Sequence, residues 1–253
     1  MVLSALSNLM NHLEWRQLQF QYWLHSGEIQ RTVGGVESRF QVNSFREFLR
    51  IVDYQNEDFV IETLLQETDP NEIFWDIGAN IGTHACYVGQ KAHQTIAVEP
   101  FSGNAEQARM NLDLNEVDAE VIECALGESK GEADLTVPDS DETEVGVGTF
   151  RLQEDSVGNK PVGVEVTLGD ELVLKNEIPY PDVMKIDVEG GELDVLRGFD
   201  QGIDNARTIL VEVHPRHVDR KKISELLESE GFTVDVLRKR NEETHLLATS
   251  TEA

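Results

Sequence analysis

The feature of this sequence that most constrains its fold is a short apolar run that turns through two glycines into a helical pattern. The run, residues 73–75, is closed by Asp76, and Gly78 and Gly82 follow it. From Ile81 onwards, apolar residues recur at helical intervals. A buried strand, a glycine turn and a helix start in this order is how open α/β sheets hold adenine-containing cofactors. The stretch therefore predicts an α/β fold with a ligand site at this turn.

Asp76 favours S-adenosylmethionine (SAM) over a dinucleotide as the ligand. A carboxylate that faces a pyrophosphate is repelled, whereas one that faces the ammonium and sulfonium groups of SAM is attracted. A second apolar strand, residues 95–98, ends in Glu99, about one helix and one strand after Asp76. An acid at that strand end can accept both hydroxyls of an adenosine ribose. We expect Asp76 at the methionine part of SAM and Glu99 at the ribose; the alternative is that both acids cap helices.

A third strand, residues 120–123, is predicted to lead to the adenine ring. Glu123, or the backbone that follows it, could meet the adenine amino group, and a solvated acid at the strand end is an equal alternative. The complete set of predicted cofactor contacts is Asp76, Gly78, Ala79, Asn80, Gly82, Thr83, Glu99, Pro100, Glu123, Cys124 and Ala125.

The excess of acidic residues limits the partners and the environment of this chain. Its 253 residues carry 48 Asp and Glu against 21 Lys and Arg, a net charge of −27. A net charge of roughly 2 to 8 is usual for a small soluble domain. The acids are spread along the chain, which favours a halophilic cytoplasm where salt screens their repulsion; an ordinary acidic enzyme is the alternative. Because no basic patch is present, nucleic acid is disfavoured as a partner.

The length predicts one α/β domain with an N-terminal extension. We place the extension, a helix and a β-hairpin, in residues 1–56, and the α/β domain in residues 57–253. The helix, residues 1–24, is expected to dock on the edge of the core rather than to form a lid. Cys86 and Cys124 show no paired spacing, which favours a reducing interior, and neither a signal peptide nor a membrane insertion is expected.

A second polar cluster is predicted where the fourth core strand ends. Lys185, Asp187 and Glu189 alternate onto one side there, and burying three charges is costly unless they pair or bind something. The fifth strand ends near His214, at the edge where open α/β sheets bind ligands. We expect His214 to be the first-choice general base, Asp187 and Glu189 the next choices, and Lys185 an orienting group. The alternative is a Lys185–carboxylate pair that only holds the strand end.

The segment between the third and fourth core strands has a mixed pattern. Residues 128–150 contain short β-like pieces, residues 151–161 predict a mobile polar loop, and residues 162–168 alternate as a strand before a helix starts at Gly169. Such an acidic, glycine-rich insertion could carry substrate contacts or be a flexible loop, and both interpretations stay open.

Together these motifs resemble the FkbM family of SAM-dependent methyltransferases over roughly residues 57–215. The resemblance implies a class I, Rossmann-like methyltransferase fold, with a seven-stranded, mostly parallel sheet and helices on both faces. It also implies methyl transfer to a hydroxyl or carboxyl oxygen of a saccharide or small metabolite. The segments that carry it are Asp76 to Gly82, Glu99-Pro100, Asn111 with Asn115, Ala125 to Gly127, Lys185 to Gly190 and Glu212 to His214.

Two other functions remain open from the sequence. Methylases that act on amino groups of nucleic acid tend to have an Asp/Asn-Pro-Pro-Tyr run at the end of the fourth strand, where this chain has Asp-Val-Glu-Gly at residues 187–190. This difference counts against an RNA or DNA methyltransferase, which stays the enzymatic alternative; a non-catalytic SAM-binding protein is the second. No metal is required, although Asp187 and Glu189 could hold a divalent ion.

Overall fold

The computed structural model of this chain describes residues 15–24, 27–52, 57–136, 151–153, 161–240 and 243–251. The helices are α1 (15–24), α2 (Phe45–Ile51), α3 (Asp58–Glu67), α4 (Thr83–Gly89), α5 (Ser102–Leu114), α6 (Gly169–Asn176), α7 (Glu192–Arg197), α8 (Asp200–Asn205) and α9 (Arg220–Ser229). The strands are β1 (Glu28–Val33), β2 (Val36–Gln41), β3 (Ile73–Ile77), β4 (Gln94–Val98), β5 (Ala119–Ile122), β6 (Ala125–Leu126), β7 (Gly131–Thr136), β8 (Arg151–Gln153), β9 (Pro161–Thr167), β10 (Val183–Ile186), β11 (Thr208–Val213), β12 (Phe232–Arg240) and β13 (Glu243–Ser250).

The central sheet has seven strands within the described ranges, in the order β12-β13-β11-β10-β3-β4-β5. Neighbours from β11 to β5 run parallel, and β13 runs antiparallel to both β11 and β12. The parallel strands read as continuous apolar runs because both faces of such a sheet are covered. This topology confirms the predicted α/β fold with a seven-stranded, mostly parallel sheet.

Helices cover the two faces of the sheet with separate apolar clusters. Trp75 and Ile77 of β3 point to one face, where they pack in a cluster with residues of α6, α7, α8 and α9. Phe74, between them, points to the other face and packs with residues of α3 and α4. The alternation follows from the period of two along a strand. Asp76 shares the side of Phe74, and this decides what its carboxylate can reach.

The N-terminal hairpin is fastened to the core by two asparagines of α5. Asn111 Oδ1 accepts a hydrogen bond from the backbone N–H of Gln41 (2.9 Å), and Asn115 Oδ1 accepts one from that of Arg39 (2.8 Å). Helix α1 packs through Trp15 and Tyr22 against the ring of Phe45. The predicted docking of the helix is confirmed for residues 15–24, and residues 1–14 lie outside the described chain. The boundary after residue 56 stays a prediction.

Two parts of the fold differ from the sequence-based expectation. Helices α2 and α8 were not predicted, since each is too short to show a helical period. The predicted mobile loop is wrong for residues 151–153, which form β8 and pair with β7 in a second sheet of order β6-β9-β7-β8. Residues 137–150 and 154–160, also covered by those predictions, lie outside the described chain. Among the described residues, no helix combines the length and apolarity needed to cross a bilayer.

The close approach of two loops at Gly78 generates a test of the fold. Gly78 has φ +79°, and a Cβ there would lie 1.8 Å from the backbone oxygen of Asp187. We expect Gly78→Ala to destabilise the protein by about 4 kcal/mol or more, because the strain of a left-handed backbone at residue 78 adds to the clash of the new Cβ with the backbone of Asp187. The control is Gly35→Ala, at φ +85° with no atom within 4 Å, which should cost about 1 to 2 kcal/mol. Equal losses in urea unfolding at matched salt would contradict this account.

Candidate active site

A cavity of about 450 Å³ opens at the carboxyl ends of β3, β4 and β10. This is the edge where an open α/β sheet places its ligands. Eight of the residues predicted from the sequence line it, which brings the cofactor set and the catalytic set into one site: Gly78, Asn80, Glu99, Pro100, Cys124, Ala125, Asp187 and Glu189.

The turn after β3 is held by Glu99. The Oε2 atom of Glu99 accepts a hydrogen bond from the backbone N–H of Asn80 (2.9 Å), and Oε1 accepts one from that of Phe101 (2.9 Å). Asn80 has a left-handed backbone, with φ 51°. Burial raises the pKa of Glu99 to about 7, although these two N–H groups oppose the rise. Glu99 therefore fixes the starts of two loops and also forms part of the cavity wall.

Asp76 lies beneath the cavity floor and not in its wall. Its side chain is fully buried, and Oδ2 accepts a hydrogen bond from the backbone N–H of Ala85 in the first turn of α4 (3.1 Å). An acid at this position caps the helix, which is the alternative considered from the sequence. The expectation that Asp76 faces the ligand directly is therefore corrected: its carboxylate supports the turn from below.

Four other predicted cofactor residues also lie away from the cavity wall. A Cβ on Gly82 would lie 3.2 Å from the Cβ of Ala108, so the close neighbour that this glycine permits is helix α5 and not a ligand. Ala79 and Thr83 are buried in the same turn. Glu123 forms an ion pair with Arg109 (2.7 Å) on the partly exposed side of α5, so its predicted contact with adenine is replaced by this pair.

Lys185 joins the two acids that close β3 and β10. Its Nζ lies 3.2 Å from Asp76 Oδ1 and 3.3 Å from Asp187 Oδ2, and its side chain is 2% exposed. Burial alone lowers the pKa of Lys185, but the two carboxylates outweigh it and raise the pKa above its usual value. Burial likewise opposes ionisation of Asp187, but Lys185 and His214 outweigh it and lower the pKa to about 2. Lys185 and Asp187 are thus charged at neutral pH, whereas burial raises the pKa of Asp76 above its usual value although Lys185 opposes the rise.

His214 is held as a cation by the carboxylates around it. Its Nδ1 lies 2.5 Å from Glu192 Oε1, and its Nε2 lies 3.6 Å from Glu189 Oε2. Burial lowers the pKa of His214, but the hydrogen bond to Glu192 and the charges of Asp187 and Glu189 outweigh it and raise the pKa to about 10. An imidazolium cannot accept a proton at neutral pH. The contacts with Glu192 and Glu189 therefore favour a positive charge on His214 beside the cavity, and its role as general base stays a prediction.

Two residues of the site, Glu192 and Arg50, were missed from the sequence. Glu192 is fully buried, and its Oε1 accepts a hydrogen bond from the backbone N–H of Gly190 (3.0 Å) as well as contacting His214. Arg50 reaches the cavity wall from α2. The spacing of Gly190 and Glu192 at a helix start could have pointed to Glu192, whereas no sequence pattern pointed to Arg50.

One group of metal-type ligands is found among the described residues, and it differs from the pair considered from the sequence. Glu212, His214 and Glu243 each offer a ligand atom, and these atoms lie within 4.8 Å of one another. His245 Nε2 lies 3.3 Å from Glu212 Oε2 at the same place. This trio differs from the pair Asp187 and Glu189, and it could hold a divalent cation only if His214 lost its proton; the roles derived below for the chain's residues need no metal.

Comparison with known proteins gives consistent results for fold and family. The sequence model described as the methyltransferase FkbM domain matches residues 76–241. The hexuronic acid methyltransferase AglP of Haloferax volcanii is 32% identical over 215 residues, covering 85% of this chain and 86% of the relative. The methyltransferase sdnD of Sordaria araneosa is 30% identical over 202 residues, covering 68% and 77%. The SAM-bound structure of magnesium protoporphyrin IX methyltransferase (ChlM) from Synechocystis PCC 6803 has the same fold, with a TM-score of 0.50, 12% identity and coverage of 83% and 86%.

Replacing Lys185, the cation of the buried triad, tests how much the triad stabilises the protein. We expect Lys185→Met to destabilise the protein by about 3 to 5 kcal/mol, because two buried carboxylates lose their counter-charge. The carboxyl groups of the variant should take up protons on folding, so the loss should be smaller at pH 5 than at pH 8. Urea unfolding at the two pH values measures this.

Two further variants complete this test. Lys175→Met removes an exposed pair with Glu165 and should cost less than about 1 kcal/mol. Adding Asp76→Asn to Lys185→Met should recover part of the lost stability. A loss that is the same at both pH values would contradict the assignment.

Proposed function

This chain belongs to the FkbM methyltransferase family, and we propose that it transfers a methyl group from SAM to a carboxylate oxygen of an acidic sugar. Methyl transfer to a glycan or small molecule follows from the family and the relatives. The choice of a carboxylate oxygen and of a sugar is the proposal. It is supported by the position of His214 between Glu192 and Glu189, whose carboxylates raise its pKa to about 10, together with the hexuronic acid in the name of the haloarchaeal relative.

The residues around the cavity fit SAM. The volume of about 450 Å³ lies in the range of ordinary small-molecule sites. Glu99 stands in the wall at the end of the second core strand, where a ribose would meet it, and the backbone of Cys124 and Ala125 lines the end of the third strand. We assign the ribose to Glu99, the adenine to the backbone at 124–125, and the methionine part to the turn at Gly78 and Asn80.

When bound, SAM supplies a methyl group already activated by the positive sulfonium. The chain's own task is then to align an acceptor with that methyl, and alignment can supply roughly 7 to 11 kcal/mol of the barrier. Asp187 and Glu189 place negative charge in the wall, which favours a cationic ligand group over a neutral one. Lys185, beneath them, keeps Asp187 ionised and in place.

The protonated His214 argues for an acceptor that needs no base. A hydroxyl group is a poor nucleophile until its proton leaves, and a positioned base contributes about 10²- to 10⁴-fold to that step. A sugar carboxylate is already ionised at neutral pH, since ordinary carboxyl groups titrate near pH 4. Because the cluster holds His214 as an imidazolium, it suits the carboxylate, whose charge the imidazolium would partly offset.

A hydroxyl acceptor with Glu189 as base is the second candidate. Glu189 lines the cavity and has a left-handed backbone, with φ 55°. Strain of this kind clusters at functional positions, because the surrounding structure must enforce it. In this alternative Glu189 would take the hydroxyl proton and His214 would stabilise the carboxylate before the transfer.

The identity of the methylated oxygen is tested by the stability of the product. We expect labelled methyl from SAM to enter an oligosaccharide ending in glucuronic acid and to leave as methanol in mild alkali, because esters hydrolyse there and ethers do not. The matched control is the same oligosaccharide with its carboxyl group reduced to a primary alcohol, which should accept no label. Label that resists alkali, or equal transfer to the reduced sugar, would favour the hydroxyl reaction.

The pH dependence of turnover separates the same two candidates independently. At saturating SAM, we expect kcat to stay flat from about pH 6 to pH 9, because the acceptor carboxylate is ionised and His214 is protonated throughout. Measurement at saturating SAM keeps the titration of Glu99 out of kcat. A rate that rises about tenfold per pH unit in the acidic range would instead report a base that must lose its proton.

A further inference from the structure

Arg50 stands in the wall of the cavity although it comes from the N-terminal part of the chain. It is the penultimate residue of α2, and it lines the cavity together with Gly78, Glu99 and Asp187. It also borders a smaller cavity beside His84. The packing of α2 against the core through Phe48, which is fully buried, holds the arginine at this place.

The guanidinium of Arg50 has no hydrogen bond or ion pair with any residue in the described part of the chain. This is unexpected in a chain with 48 acidic against 21 basic residues, where a carboxylate partner is easy to find. Other arginines have such partners: Arg31 contacts Asp58, and Arg207 contacts Glu72. A half-buried arginine left without one is available to a ligand.

The charges that face Arg50 show what kind of ligand it would hold. Burial acts to raise the pKa of three nearby carboxyl groups, Glu57, Glu99 and Asp187, and the charge of Arg50 opposes this in each. Lys130 also lines the cavity, and it is paired with Glu171. An anionic ligand group in this acidic cavity would be repelled unless a cation met it, and Arg50 is placed to do so.

We propose that Arg50 binds a carboxylate of a ligand in the cavity, either the amino-acid carboxylate of SAM or the carboxylate of the acceptor. The proposal rests on the proposed function for the identity of these ligands. A guanidinium binds a carboxylate through two parallel N–H···O bonds, which fixes its orientation as well as its charge. The N-terminal extension thereby supplies a binding group to a site that is otherwise built by the α/β sheet.

The experiment compares Arg50→Gln with Arg46→Gln by calorimetry at matched molar salt. Arg46 lies one turn earlier on the same helix and is not part of the cavity wall. Each protein is titrated with S-adenosylhomocysteine, which carries the amino-acid carboxylate, and with 5′-methylthioadenosine, which lacks it. A glucuronic-acid oligosaccharide and its carboxyl-reduced form are then titrated in the presence of S-adenosylhomocysteine.

If Arg50 holds the cofactor carboxylate, Arg50→Gln should weaken S-adenosylhomocysteine about 10-fold or more and leave methylthioadenosine unchanged. If it holds the acceptor carboxylate, the same loss should appear for the acidic sugar and not for its reduced form. Arg46→Gln should match the wild-type protein in every titration, and Arg50→Lys should recover part of the loss.

The proposal is overturned if all four ligands bind Arg50→Gln within about twofold of wild type, or if ligands with and without a carboxylate weaken equally. The second result would show that Arg50 only supports the fold. Failure of this proposal can be told apart from failure of the proposed function, because the titrations with S-adenosylhomocysteine and 5′-methylthioadenosine involve no acceptor. A selective loss of S-adenosylhomocysteine upholds the role of Arg50 even where the methylated oxygen proves to be a hydroxyl.

Discussion

The position of Lys185 between Asp76 and Asp187 is the interaction on which the rest of the site depends. The lysine is almost fully buried and touches the carboxylates that close two neighbouring parallel strands. A buried charge that lost its partner would cost several kcal/mol, so this arrangement tolerates little movement. Since Asp76 also caps α4 and the backbone of Asp187 presses against Gly78, the triad fixes the turn, the helix start and the strand end together.

The charges above that floor determine which ligands the cavity accepts. Asp187 and Glu189 line it, while His214 is kept protonated by Glu192 below. A cavity with carboxylates in its wall and fixed cations beside them suits a ligand pair of opposite charge, such as a sulfonium and a carboxylate. It suits a polyanion such as RNA poorly, because the many phosphates would meet an acidic surface.

The sequence predicted the strands and the cavity better than the direction of single side chains. The strand at 73–77 and the turn at Gly78 were predictable because a buried parallel strand is a continuous apolar run and a tight turn needs glycine. The roles of Asp76 and Glu123 were not, since one residue of register decides whether a side chain faces the ligand, a helix or solvent. Glu192 lies 22 residues before its partner His214, and Arg50 lies far before the other residues of the cavity wall. The spacing of Gly190 and Glu192 indicates a helix start, but no local pattern reports contacts over such separations.

The origin of Arg50 bears on how a fold of this type changes its acceptor. Lys185, Asp76, Asp187, the turn at Gly78 and Glu99 lie on the strands of the central sheet or directly after them. Arg50 instead lies on helix α2, in the N-terminal part of the chain. The hairpin before it is fastened through Asn111 and Asn115 of α5, and α2 itself through apolar packing. Substitutions in α2 can therefore alter what the cavity binds without disturbing the buried charges that hold its floor. Acceptor specificity and cofactor geometry then depend on separate parts of the chain, so the acceptor can change while the cofactor site is kept.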